Sequence, residues 1–243
     1  MRDIRRVIPE RDCVTVIGAR GAGKSTVWSA RAGELRPDSG SILIGDQEVT
    51  AWPTAKRAGL VARVFQDPLG GSCANLTIEE NLALAHARGK RRGFGASVSA
   101  SLREEFRSHI SRLNLGLENR LGDSMELLSG GQRQAVSLLM SAMQPMKILL
   151  LDEHTAALDP KTAAFVLELT REIVAERNLT TLMVTHSMRQ ALDIGNRTVM
   201  LHEGRVVLDV RDGDRAGLKV EDLLHMFEKV RGEEIDDDAL LLG

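Results

Sequence analysis

The stretch GARGAGKST, Gly18 to Thr26, constrains this chain more than any other. It follows Val14, Thr15, Val16 and Ile17, a short run that reads as a buried strand, and it leads into residues with helical spacing. Glycine reaches positive φ without a steric penalty. A loop carrying Gly18, Gly21 and Gly23 can therefore curl until consecutive N–H groups point inward at an anion. The helix that begins here adds its unpaired N–H groups and the positive end of its dipole. Gly18, Gly23, Lys24 and Ser25 fit the spacing GxxxxGK[ST], in which the lysine reaches nucleotide phosphates and the hydroxyl sits on Mg²⁺. A plain glycine-rich strand-to-helix turn is the competing reading, and partner motifs downstream weigh against it.

Composition narrows the class. At 243 residues the chain suits one large domain or two small ones. A net charge of -2 gives no general pull toward nucleic acid, and aromatics at 3% with no Tyr leave little for base stacking, so no nucleic-acid partner is expected. Cys13 and Cys73 have no metal spacing, which fits a reduced cytosolic setting. No apolar run approaches the roughly 18 residues a membrane span needs, and the N-terminal MRDIRRVIPERD lacks the apolar core of a signal peptide. The expected location is the cytoplasm, against a membrane only through a partner.

Strand and helix signals alternate along the chain. A helix is expected from Ser25 to about Glu34, a turn at Pro37–Gly40, a strand at Ser41–Ile44 and another turn at Gly45-Asp46. Leu60–Phe65 is the next strand, ending at Gln66 and a loop rich in Gly, Pro and Asn. Thr77-Ile78-Glu79-Glu80 is a capping box that opens a helix to about Ala87. The basic connector Arg88–Ser101 leads to a second helix over about Leu102–Leu115. After LLSGGQRQ (Leu127–Gln134), apolar residues keep helical spacing until Pro145. Lys147–Leu151 is an apolar strand ending in Asp152-Glu153, followed by a helix over about Lys161–Arg177. A strand at Thr180–Thr185 ends at His186, and a short helix covers Ser187–Ile194. Val199–Val210 reads as a hairpin turning at Glu203-Gly204, and a last helix starts near Val220 with Leu223, Leu224 and Phe227 on one face. The tail from Glu233 to Gly243 is acidic and then apolar.

This alternation predicts an α/β fold, a mostly parallel sheet with helices on both faces. Ligands of such sheets bind at the carboxyl ends of the strands. Gly18, Gln66, Asp152 and His186 each lie just past an expected strand, so four polar motifs converge on one edge.

Asp152 can hold Mg²⁺, directly or through water, opposite Ser25. Glu153 is the candidate general base; both acids could instead be solvated strand-end charges. Gln66 can orient the attacking water or touch Mg²⁺, or be an ordinary loop amide. His186 can hold a terminal phosphate, although a lone histidine is more often structural. Ser129 to Gln132 is either a local capping box or a second anion site at a helix N-terminus; two glycines in the first turn lower helix stability by roughly 1 kcal/mol each, which a close backbone approach would explain. Asp159 before Pro160 suits an N-cap, with a role across an interface equally open.

Together these residues resemble the ATP-binding subunits of ABC transporters over nearly the whole chain. GARGAGKS resembles Walker A, Gln66 the Q-loop glutamine and Leu128–Gln132 the LSGGQ signature. Ile148–Glu153 resembles Walker B with its catalytic glutamate, Ala157-Leu158-Asp159 the D-loop, and His186 the switch histidine. The resemblance implies a P-loop NTPase, RecA-like, with a nucleotide-binding core over residues 1–66 and 146–243. It also implies a small, truncated antiparallel β subdomain and an α-helical signature subdomain over residues 67–145, all in one domain. Gly18, Ala19, Arg20, Gly21, Ala22, Gly23, Lys24, Ser25 and Thr26 would hold ATP, with Ser25, Gln66 and Asp152 on Mg²⁺. Lys24, Gln66, Glu153 and His186 would carry hydrolysis. Two copies, or one copy and a related ATPase, would close head to tail, with Ser129, Gly130, Gly131, Gln132 and Asp159 of one facing the ATP of the other. The implied function is a motor that couples hydrolysis to solute transport through transmembrane permease subunits. The implied location is the inner face of the cell membrane. DEHTAALDPKTA, with His154 where proline is commoner, resembles import ATPases linked to amino acids or related solutes, which would also involve a solute-binding protein.

Three departures stand out. No aromatic residue precedes Gly18 to stack on adenine, and the first strands of the usual antiparallel subdomain are missing or cut short. Arg20 stands where asparagine is frequent, to bind phosphate or face solvent. Trp28 and Arg31 stand where aliphatic residues are expected, with Arg31 disturbing the core. These departures motivate an alternative: a nucleotide-gated binding module with weak or no hydrolysis. A DNA-repair or ribosomal relative would carry coiled-coil or zinc inserts, or paired cassettes, and none is visible.

Overall fold

In a computed structural model that describes residues 4, 6–90 and 98–229, strands and helices alternate as the sequence predicts. The order begins β1 (Cys13–Gly18), α1 (Lys24–Ala32), β2 (Leu43–Ile44), β3 (Gln47–Glu48), α2 (Thr54–Arg57) and β4 (Val61–Val64). A 3-10 turn (Pro68–Gly71), α3 (Ile78–His86), α4 (Ala100–Ser111), a second 3-10 turn (Met125–Leu127) and α5 (Gly130–Ala142) follow. The chain continues through β5 (Ile148–Asp152), α6 (Pro160–Arg177), β6 (Thr180–Val184), α7 (Met188–Asp193), β7 (Arg197–His202), β8 (Arg205–Arg211) and α8 (Asp212–Arg215). Residues 220–229 are helical again; most of the connector before Ser101 and the tail after Lys229 lie outside the described residues.

The main sheet runs in the order β4-β5-β6-β1-β7-β8. Neighbours are parallel except β8, which returns antiparallel to β7 as the hairpin the sequence predicts. Alternation along β5 shows why its sequence is a continuous apolar run: Leu149 and Leu151 enter one core and Leu150 the other. The larger core joins that face to α3, α4 and α5 through Leu82, Phe106, Ile110 and Leu138. The opposite core holds Trp28 of α1 with Val14, Val16, Leu182 and Val184. Ile17, Ala191, Met200 and Leu223 form a third, smaller core.

Several boundaries differ from the sequence reading. The small antiparallel sheet is a β2–β3 hairpin of two residues per arm, and its second arm is too short to leave an alternation pattern. Helix α4 starts earlier than expected because the Ser99 hydroxyl accepts from the Leu102 N–H and caps it. Leu224 is 43% exposed beside the fully buried Leu223, so it does not share the buried face. Trp28 is fully buried, its indole N–H without a hydrogen-bond partner among the described residues. Arg31 stays at the margin of the core, lining a cleft with Val14, Val16 and Leu182, where burial pulls its pKa down to about 10.

One buried ion pair pins the outer strands. Arg197 on β7, only 6% exposed, donates to both carboxylate oxygens of Asp209 on β8 at 2.6 and 2.7 Å and to the Val7 carbonyl at 2.9 Å. These hydrogen bonds hold the Asp209 carboxyl below its usual pKa. Replacing Asp209 with Asn would leave the guanidinium buried without its counter-charge. The expected loss is about 3 kcal/mol in urea unfolding. A loss below about 0.5 kcal/mol would show that the pair is dispensable.

Candidate functional site

Strands β4, β5, β6 and β1 are consecutive and parallel, so their carboxyl ends share one edge of the sheet. Gly18 and Asp152 close two of these strands, and Gln66 and His186 follow the others by two residues. The convergence expected from the sequence is therefore a consequence of strand order.

Gly18 has φ 153°, and a Cβ there would lie 2.3 Å from the Leu201 carbonyl oxygen, so no other residue fits where the loop leaves the sheet. Gly21 and Gly23 have φ 85° and 94°. Gly23 is the N-cap of α1 and supplies no side-chain cap, and the first turn contains no acid. The side chains of Thr77, Ser99, Ser129 and Asp159 cap α3, α4, α5 and α6. The first N–H groups of α1 are thus left for an anion. Lys24 is 7% exposed and donates from Nζ to the carbonyls of Gly18 at 2.7 Å and Ala19 at 3.0 Å, so the cation lies across the loop. Desolvation lowers its pKa, while the Glu153 and Asp152 carboxylates act in the opposite direction. Ser25 and Thr26 are exposed beside it, as is Arg20.

Strand β5 delivers the acids. Asp152 is its last residue, and Glu153 turns away at φ 48°, a left-handed conformation unusual outside glycine. The turn breaks the strand's alternation and sends Glu153 Oε1 to within 2.6 Å of His186 Nε2. Glu153 is mostly buried, whereas the His186 side chain is 54% exposed. A mostly buried carboxylate on an exposed imidazole suits proton transfer to a group arriving from solvent.

The signature stretch is built locally in the single chain. Ser129 and Gln132 form a reciprocal capping box at α5. Gly131 faces α6 so closely that a Cβ would fall 2.0 Å from Thr162 Cγ2, which explains the glycine inside the first turn; Gly130 is only in ordinary contact with Leu158. Gly131→Ala should therefore cost about 1–3 kcal/mol of stability, as overpacking does, and adding Thr162→Ala should recover most of it. Thermal unfolding of the single and double variants checks this, and no loss in Gly131→Ala would refute the packing account. Asp159 caps α6 by accepting from the Thr162 N–H at 3.1 Å, with Pro160 as the first helical residue. Helix α5 packs against α6, β4 and the 3-10 turn at Pro68–Gly71, and its buried residues join the larger core, whereas Ala22 of the phosphate loop lies in the opposite one.

His154 stays out of the site. It is 1% exposed, and Thr170 donates to the Val166 carbonyl, so its hydroxyl oxygen accepts from His154 Nε2 at 3.0 Å. Burial pushes its pKa down to about 4 and keeps the ring neutral.

Two residues outside the expected set belong here. Buried Gln134 of α5 donates to the Phe65 carbonyl at 3.1 Å and ties α5 to the backbone just before Gln66. Arg63 of β4 donates from Nη2 to Asp152 Oδ2 at 2.6 Å. An arginine inside the apolar strand LVARVF is itself a signal, because a charge on a covered sheet needs a partner.

The comparisons agree with this geometry. A family profile described as ABC transporter matches residues 1–156. The tyrosine transport ATP-binding protein of Clostridioides difficile is 45% identical over 224 residues, 91% of this chain and 88% of that protein. The thiamine import ATP-binding protein ThiQ of Yersinia pseudotuberculosis is 39% identical over 199 residues, 81% of this chain and 78% of that protein. Among solved structures, the ATP-binding cassette MJ0796, a dimer in a post-hydrolysis state bound to ADP and Pi, superposes with a TM-score of 0.72 at 27% identity. That match covers 85% of this chain and 88% of the cassette, and a second dimeric MJ0796 structure gives 0.71. This chain belongs to the ABC transporter family, as one of its ATP-binding ATPase subunits.

Proposed function

We propose that this chain binds Mg-ATP between two head-to-tail copies and uses its hydrolysis to drive import of a small solute of the amino-acid class through membrane permease subunits. One observation carries the catalytic part: the 2.6 Å Glu153–His186 pair stands on the same sheet edge as the uncapped phosphate loop. In this reading the N–H groups from Gly18 to Thr26 and the Lys24 ammonium receive the β- and γ-phosphates. Glu153 takes the proton of the attacking water, and His186 orients Glu153 and contacts the γ-phosphate. Gln66 helps position that water.

Mg²⁺ would be held by Ser25, Asp152 and Gln66 together with phosphate oxygens and water, where it would neutralise phosphate charge. No cluster of three or more His, Cys, Asp or Glu that could hold a metal occurs among the described residues, and a site shared with phosphates and water does not need one. Ser129, Gly130, Gly131, Gln132 and Asp159 would face the partner's ATP. Support for this comes from α5 and the phosphate loop's Ala22 belonging to different cores of the chain, and from the dimeric state of the MJ0796 cassettes.

The presence of Lys24, Asp152, Glu153 and His186 on one edge favours a working ATPase over a weakly hydrolysing binding module. No helix among the described residues is long and apolar enough to cross a membrane, so the proposed seat on the inner membrane face depends on the permease. The amino-acid assignment rests on likeness to the tyrosine transport protein. Co-reconstituted with its co-purifying membrane subunits, the chain should support ATP-dependent uptake of labelled tyrosine or a related amino acid. Uptake of thiamine alone would move the cargo to the other class of relative.

A further inference from the structure

Arg63 is fixed at both ends. Its Nη2 donates to Asp152 Oδ2 at 2.6 Å, and its Nη1 donates to both oxygens of Glu34 at 2.8 Å. Glu34 also accepts from the Ser29 hydroxyl at 2.8 Å, one turn past Ser25 on α1. The guanidinium lies 4.5 Å from the Phe65 ring centroid. The Arg63 and Asp152 side chains are only 14% and 18% exposed, so solvent screens the pair little. Burial works against the charged guanidinium, and the hydrogen bonds it donates to Asp152 and Glu34 outweigh that, so its pKa rises. It remains a full cation throughout the working pH range.

The strands explain the encounter. Val64 pairs with Leu151, which places Arg63 diagonally across the ladder from Asp152. The arginine takes one oxygen of the carboxylate and leaves the other open. A divalent ion on that carboxylate would have to approach a nearby cation that Glu34 and Phe65 keep from swinging away.

We propose that Arg63 is a built-in counter-ion of Asp152 that competes electrostatically with Mg²⁺, so that metal binding works against an existing ion pair. This rests on the reading of Asp152 as a Mg²⁺ ligand. The consequence is a raised Mg²⁺ requirement: without metal, the carboxylate is held by Arg63 instead of standing bare beside Glu153. A purely structural Arg63 would affect folding alone, and a residue that merely aimed Asp152 at the metal would strengthen Mg²⁺ binding. Competition predicts the opposite sign.

The test is a Mg²⁺ titration of mant-ADP binding, which involves no turnover, on the wild-type chain and on Arg63→Met and Arg63→Gln. Two variants are used in case one folds poorly, and circular dichroism reports folding. The expected result is a Mg²⁺ midpoint at least about tenfold lower in both variants, with Arg63→Lys, which keeps the charge, near wild type. A midpoint unchanged or raised in the folded variants would overturn the proposal. Asp152→Asn separates the two layers. If it leaves the midpoint untouched, the assignment of Asp152 to Mg²⁺ fails. If it raises the midpoint while Arg63→Met does nothing, only the competition fails.

Discussion

Glu153→Gln should lower ATP turnover by about 10²-fold or more, the scale of a lost general base, while leaving ATP binding and ATP-driven pairing in place. The substitution is nearly isosteric. The left-handed turn at φ 48° belongs to the backbone and survives it. A glutamine amide can still hydrogen-bond His186 where the carboxylate does at 2.6 Å, so the edge keeps its shape. Only the capacity to accept the water's proton is removed. Phosphate release measures the loss, and size-exclusion chromatography with ATP measures the pairing, which should become longer-lived. Undiminished turnover would remove Glu153 as the base and place it with the solvated strand-end acids.

Lys24→Ala should have the next largest effect, a fall in ATP affinity of about 10–100-fold, read by mant-ATP titration. Hydrogen bonds from a charged donor contribute about 1.5–3 kcal/mol, and Lys24 as a residue is only 7% exposed. Its present acceptors, the carbonyls of Gly18 and Ala19, show that the side chain already lies across the loop. A phosphate would draw it from carbonyls to anionic oxygens without reordering the backbone. Affinity within threefold of wild type would mean that the N–H groups of the loop suffice and the lysine is peripheral.

What was legible in the sequence was mainly local. The capping boxes of Thr77–Glu80 and Ser129–Gln132 and the Asp159-Pro160 cap are written in three or four consecutive residues, and each forms as read. Apolar runs set the parallel strands, whose order then places Gly18, Gln66, Asp152 and His186 on one edge. What escaped depends on distant partners. Gly131 owes its identity to Thr162, and the role of Arg63 depends on Asp152 and Glu34. Gln134 could not be paired with the Phe65 carbonyl before the sheet and α5 were placed together. The β3 arm is too short to leave a periodicity, and the exposure of Leu224 follows from a core contributed by other strands. The signature stretch is a different case: its local capping is visible, and its proposed ligand lies in another copy of the chain.

The claim that each ATP site is completed by a second chain has a direct measurement. Lys24→Ala disables the phosphate loop and Ser129→Arg the lid, so each variant alone should be nearly inactive. Mixed in equal amounts, half of the dimers pair one of each, and every such dimer has one site with both parts intact. The account predicts that phosphate release returns to roughly a quarter of the wild-type rate. A mixture that stays inactive, or a Ser129→Arg chain that is fully active alone, would contradict it.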